Sequence, residues 1–263
     1  MSAKTPSKVA SYWKASGMAS GALSANGSLA ILRRPESMTV LELGEGMLNM
    51  EQARLNMIEQ QIRPCDVLEG RILDLLKHVR REHYVPNGMR EMAFMDLEIP
   101  LGYGAYMWPP KLEARTLQEL HLTRDDTVLE VGTGSGYFTA LLSALSGHVT
   151  SVEIVPELSA SAGQRLHTYR HDNVTLQTGD AARGWGSANY DVIVLTGSTP
   201  VLPDAFQNSL NIGGRLFAIV GDAPVMEARL ITRISADKFE TVNIMEACVA
   251  PLQNALQPER FVF

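Results

Sequence analysis

The stretch Glu130-Val131-Gly132-Thr133-Gly134-Ser135-Gly136-Tyr137 constrains this chain most, because it joins a predicted strand to a predicted helix. Thr127 to Val131 is a short apolar strand, and Tyr137 to Leu145 reads as a helix. Glycine at the junction permits positive φ and lets a ligand approach the backbone with no Cβ in the way. The alternation continues beyond the loop. Strands are expected at His148 to Glu153, Val174 to Gln177, Tyr190 to Leu195 and Gly214 to Val220, with helices at Pro156 to Tyr169 and Leu202 to Leu210. Tyr190 to Leu195 is the most continuously apolar, as suits a central strand buried on both faces. Two late strands, near Glu227 to Ile234 and Glu240 to Ala247, complete the series. Such alternation predicts an α/β fold, a mostly parallel twisted sheet with helices on both faces.

Upstream the pattern differs. Leu55, Ile58 and Ile62, then Ile72, Leu75, Leu76 and Val79, recur at helical spacing, and Pro64 separates the two helices. Tyr84 to Pro110 is loop-like, broken by Pro86, Gly88, Pro100, Gly102, Gly104, Pro109 and Pro110. A further helix is expected from about Lys111 to Leu120. Residues 1–46 are rich in Ser, Ala and Gly with no acidic residue before Glu36, and read as a flexible extension or a start codon placed too early. The expected division is therefore an extension (1–46), a helical and loop subdomain (47–120) and a ligand-binding domain (121–263).

The chain has 263 residues, 45% hydrophobic and 20% charged, the balance of an ordinary soluble, cytoplasmic protein. A net charge of −6 argues against a general nucleic-acid binder, which needs clustered Lys and Arg. The basic run Lys77-His78-Val79-Arg80-Arg81 reads as a solvated helix end. No apolar run reaches the roughly 18 residues that span a bilayer, so no membrane association is expected. Cys65 and Cys248 stand far apart without a C-x-x-C pair, which indicates neither a metal site nor a disulfide framework. Each reads as a small buried hydrophobe.

Dinucleotide binders carry a third glycine where the pyrophosphate meets the helix, and here that position is Tyr137. A bulky phenol there points to a nucleoside ligand without phosphate. Glu153 ends the second strand 17 residues after Gly136, where a carboxylate can accept hydrogen bonds from both ribose hydroxyls. Asp180, in Thr178-Gly179-Asp180-Ala181 after the third strand, can accept from an adenine amino group. Both lie at the carboxyl edge of the sheet, where α/β ligands bind.

In order along the chain, several stretches resemble the protein-L-isoaspartate O-methyltransferase family. They are Arg81-Glu82-His83-Tyr84-Val85-Pro86, Ala93-Phe94-Met95-Asp96, Ile99-Pro100-Leu101-Gly102, the strand and glycine loop from Val128 to Tyr137, Val152-Glu153, Gly179-Asp180, Tyr190-Asp191-Val192-Ile193, Gly213-Gly214-Arg215-Leu216 and Pro251-Leu252. The resemblance implies a Rossmann-like methyltransferase fold with S-adenosylmethionine as cofactor. It implies cofactor contacts from Glu130, Gly132, Thr133, Gly134, Ser135, Gly136, Glu153, Ile154, Asp180 and Ala181. It also implies carboxyl methylation of isoaspartyl residues in damaged proteins, hence a protein or peptide carboxylate as partner. The family's acceptor loop reads roughly G-Q-T-I-S-x-P, and Gly104-Ala105-Tyr106-Met107-Trp108-Pro109-Pro110 matches it with Tyr106 for the Thr and Trp108 for the Ser. Tyr106, Trp108 and Asp96 are the candidates for the acceptor end.

A carboxylate acceptor needs no general base at neutral pH, so catalysis can rest on alignment. This accords with a sequence lacking an evident Ser/His/Asp set. His83, the one histidine near the front loop, is a candidate base for a hydroxyl acceptor, or a helix-end residue that favours a partly cationic ring. The aromatic loop either packs on the core or lines the acceptor pocket, with Trp108 stacking on substrate. Three readings stay open: an isoaspartyl methyltransferase, a methyltransferase with another peptide or small-molecule acceptor, and a cofactor-binding protein with little catalysis.

Overall fold

The computed structural model describes residues 40–259, with side chains from residue 49 onward. The extension expected at 1–46 therefore falls almost wholly outside the described residues. Helix α1 (Val40–Met57) runs on through a π-helical turn at Ile58–Ile62 and stops in a 3-10 turn at Arg63–Cys65. Pro64 ends it as expected, since proline has no N–H to continue the ladder. Helix α2 (Gly70–His78) buries Ile72, Leu73 and Leu76.

The region read as loop holds a small hairpin, β1 (Ile99–Gly102) and β2 (Ala105–Met107), paired antiparallel. Its tip is tight, with Gly102, Tyr103 and Gly104 all at positive φ. Helix α3 (Pro110–Leu120) follows, with Pro110 in the first turn, where a missing N–H loses nothing.

The remaining elements are β3 (Thr127–Val131), α4 (Tyr137–Leu145), β4 (His148–Glu153), α5 (Pro156–Thr168), β5 (Val174–Thr178), β6 (Tyr190–Thr199), α6 (Asp204–Asn208), β7 (Leu210–Asp222), β8 (Val225–Ser235) and β9 (Lys238–Glu246). They form one sheet in the order β5-β4-β3-β6-β7-β8-β9. β5 to β7 run parallel, and β8 and β9 add an antiparallel edge. The predicted α/β fold with a mostly parallel twisted sheet is the observed one. β6 shows the expected two-sided burial. Val192 and Val194 enter the core shared with α2, α3 and α4, while Ile193 and Leu195 enter a second core with Phe206 of α6.

Chain order reverses between β3 and β6, so a crevice opens at their carboxyl ends, the usual ligand position in such sheets. A register shift between Val194 and Ser198 in β6 re-aims Thr196 and Gly197 toward that crevice.

Two expectations fail. Cys65 and Cys248 are exposed, one in the turn that ends α1 and the other in the segment after β9, so neither is a core residue. The basic run is not wholly solvated either. Lys77 pairs with Asp74 near the surface, but Arg81 is 1% exposed and pairs with the buried Glu113 of α3.

Candidate active site

The crevice is lined by the glycine loop, by Val152 to Ile154 at the end of β4, by Gly179 to Ala182 after β5, by Thr196 and Gly197, by the hairpin, and by Val249 to Gln253. The space between these walls is about 720 Å³ with the open solvent at its mouth included. Gly132 has φ +99°, and a Cβ there would collide with Thr196 Oγ1. That hydroxyl donates to the carbonyls of Val131 and Gly132 at 2.9 and 2.7 Å, and so fixes the loop. Glu153 accepts from Gly134 N at 2.8 Å through one oxygen and from Val155 N at 3.0 Å through the other. It thus faces the loop with lone pairs left for a diol. Asp180 accepts from Ala182 N at 3.0 Å and from Asn254 Nδ2 at 2.9 Å. Ile154 and Ala181 line the cavity beside these carboxylates.

Several predicted site residues stand elsewhere. Glu130 does not line the cleft. Its side chain leaves β3 on the α4 side, where it accepts from Thr139 Oγ1 at 2.5 Å and from Ser151 Oγ at 2.6 Å. Burial pushes its carboxyl up to about 8, so it is protonated at neutral pH. Thr133 and Ser135 line a smaller adjoining hollow, with Thr133 Oγ1 hydrogen-bonded to Ser151 Oγ at 2.6 Å. Gly136 lines neither cavity; an added Cβ there would press on Ala162.

Tyr137 also departs from expectation. Its ring is buried against Tyr84 and under the Arg81 guanidinium, away from the cleft. The phenol therefore does not exclude a pyrophosphate by bulk. Two other features disfavour a phosphate. Tyr137 N donates to Ser135 Oγ at 3.2 Å, which occupies the helix-end amide. The acidic side chains lining the cleft are Glu98, Glu153 and Asp180, and no Lys, Arg or His joins them among the described residues. An acidic cleft with a close-approach glycine loop fits a sulfonium nucleoside such as S-adenosylmethionine.

Of the hairpin residues that line the cleft, Tyr106 is half exposed and Trp108 is 4% exposed. Trp108 packs on the core and also lines the cleft, its ring tilted by 54° against Phe138 at 5.4 Å and edge-on to Phe217 at 6.2 Å. Asp96 does not reach the cleft and pairs with Lys111 at 2.5 Å. His83 stacks on Tyr169 at 4.8 Å outside the cleft, at the end of the short 3-10 helix Arg81–His83, and burial holds its imidazole below the usual value. Glu98, Thr196 and the 249–253 strap were missed. The strap has no periodic signal, and Glu98 sits unmarked in a stretch broken by proline and glycine.

The pH dependence of Glu130 has a definite sign. The folded protein keeps a proton that the unfolded chain releases near its model value of 4.5. Its stabilising effect is full below that value and is lost as pH rises through about 8. A Glu130→Gln variant is expected to lose this decline between about pH 4.5 and about pH 8, read by thermal unfolding across that range. Parallel pH curves for variant and parent would contradict the assignment.

Fold and cleft together define a Rossmann-like methyltransferase. Residues 52–257 match the family model described as protein-L-isoaspartate(D-aspartate) O-methyltransferase. The chain belongs to this family. It is 35% identical over 208 residues to a protein-L-isoaspartate O-methyltransferase of Rhodopseudomonas palustris, covering 77% of this chain and 95% of that one. A Protochlamydia amoebophila protein of the same name is 34% identical over 200 residues, covering 74% and 94%. Among solved structures, a Plasmodium falciparum protein-L-isoaspartate O-methyltransferase in complex with S-adenosyl-L-homocysteine superposes with a TM-score of 0.65 at 17% identity, over 77% of this chain and 97% of that chain, a likeness of fold.

Proposed function

We propose that this enzyme transfers a methyl group from S-adenosylmethionine to the free α-carboxylate of isoaspartyl residues in peptides and damaged proteins, in the cytoplasm, as a repair step. The observation that carries the reading is the acidic cleft over the Gly132 loop, in a chain whose family match spans it. We assign the Glu153 carboxylate to the ribose hydroxyls, Asp180 to the adenine amino group, and Ile154 and Ala181 to the apolar walls of the base. Asp180 exchanges its Asn254 contact for the ligand in this account. Residues 121–263 then form the cofactor domain, and 47–120 supply the acceptor side.

When bound, S-adenosylmethionine supplies a methyl on a positive sulfur, which an acceptor carboxylate takes by in-line displacement. The protein's work is to align the two and exclude water. Trp108, held between Phe138 and Phe217, forms a rigid wall at the acceptor end, and Tyr106 edges its mouth. No proton needs to be removed from a carboxylate, which suits a cleft lined by no histidine or lysine among the described residues.

The test is methyl incorporation into an isoaspartyl peptide set against its aspartyl twin. Incorporation into the isoaspartyl form alone is expected. Equal labelling of both, or of neither, contradicts the reading.

A further inference from the structure

The front hairpin carries two polar groups that nothing among the described residues satisfies. Its register pairs Ile99 with Met107 and Pro100 with Tyr106, so one step further Glu98 stands opposite Trp108. Ile99 and Met107 are buried in the core. Side chains alternate across a strand, which leaves Glu98, Tyr106 and Trp108 together on the other, cleft-lining side. Glu98 Oε1 is buried without a hydrogen-bond partner, and so is Trp108 Nε1. A buried polar atom left unpaired is costly, so one acceptor and one donor side by side on a cleft wall mark a place for a ligand.

The charge of the cleft says which ligand. Of its carboxylates, Glu153 and Asp180 already have both oxygens engaged with the loops they brace. Glu98 makes no hydrogen bond or ion pair among the described residues, and no cation lines the cleft to neutralise it. An acidic flank on a substrate would meet repulsion here, and a basic one attraction. The half-exposed ring of Tyr106 adds an aromatic face beside the carboxylate.

We propose that Glu98 and Trp108 form an acceptor subsite that selects isoaspartyl peptides with a basic residue beside the isoaspartyl group. The ammonium or guanidinium donates to the Glu98 carboxylate, and Trp108 Nε1 donates to a carbonyl of the same peptide. The inference rests on the isoaspartyl reading above. Glu98 lies beside Tyr106 and Trp108 of the hairpin, which line the same cleft as the loops assigned to the nucleoside. The cofactor's own amino group has the same donor chemistry, and the experiment separates the two.

Three isoaspartyl peptides that differ only in one neighbouring residue, Lys, Gln or Glu, are assayed for kcat/KM with the parent enzyme, Glu98→Gln and Trp108→Phe. Calorimetry with S-adenosylmethionine accompanies each variant. The parent is expected to favour the Lys peptide over the Glu peptide by about tenfold, less at high salt. Glu98→Gln should bring that ratio close to one with cofactor affinity unchanged. Trp108→Phe should raise KM for all three peptides and keep the ratio. An unchanged Lys/Glu ratio in Glu98→Gln overturns the subsite. Loss of cofactor affinity in Glu98→Gln with the ratio retained overturns it too, and gives Glu98 to the cofactor. If the parent methylates none of the three, the isoaspartyl reading itself fails and the subsite falls with it.

Discussion

An Arg81→Met variant is expected to lose about 3–5 kcal/mol of folding stability, the scale seen when one partner of a buried ion pair is removed. Arg81 is 1% exposed, and its guanidinium is fully used. It pairs with Glu113, donates to the carbonyls of Trp108 and of Ala93, and lies over the Tyr137 ring at 5.1 Å. One side chain thus ties α3, the end of the hairpin and the start of α4 to the turn after α2. Its removal leaves a buried carboxyl and two carbonyls without their donor. Glu113 already feels its burial, which pushes its carboxyl up to about 7 against the pull of Arg81. Adding Glu113→Leu should recover most of the loss, since an apolar pair of similar volume no longer strands a charge. Urea unfolding of the single and double variants checks this. A single variant within about 1 kcal/mol of the parent, below the buried-pair range, contradicts it.

The second large effect falls on binding. Gly132→Ala is expected to weaken S-adenosylmethionine binding by about 100-fold or more. An L-residue at this positive φ is strained by roughly 1–2 kcal/mol, and the new methyl must also displace Thr196 Oγ1 from the two carbonyls it holds. A shifted loop moves Gly134, and with it the amide that orients Glu153. Calorimetry reads the affinity. Adding Thr196→Ala should restore part of it by opening the space, whereas no change in the single variant would detach the loop from the ligand.

Most of the sheet was legible because its strands are short apolar runs set off by turns, and burial on two faces demands that composition. The hairpin was not, since Pro100, Gly102 and Gly104 read as breakers and only tertiary pairing makes strands of their neighbours. Site residues divide along the same line. Gly132, Glu153, Ile154, Asp180 and Ala181 follow strand ends and line the cleft, as position alone suggests. Glu130 misled because proximity to the glycine loop outweighed the strand's period of two, which turns it toward Thr139. Tyr137 misled in a similar way, its ring turning into the core once the helix begins. Glu98 carries no sequence signal, because its significance comes from the unpaired Trp108 Nε1 opposite it.

The most direct measurement of the central claim is the mass and position of the methyl group after the enzyme acts on an isoaspartyl peptide with S-adenosylmethionine. The predicted product carries one methyl ester, on the free α-carboxylate of the isoaspartyl residue, and the aspartyl twin stays unmodified. A methyl found on another atom, or on both peptides alike, contradicts the account.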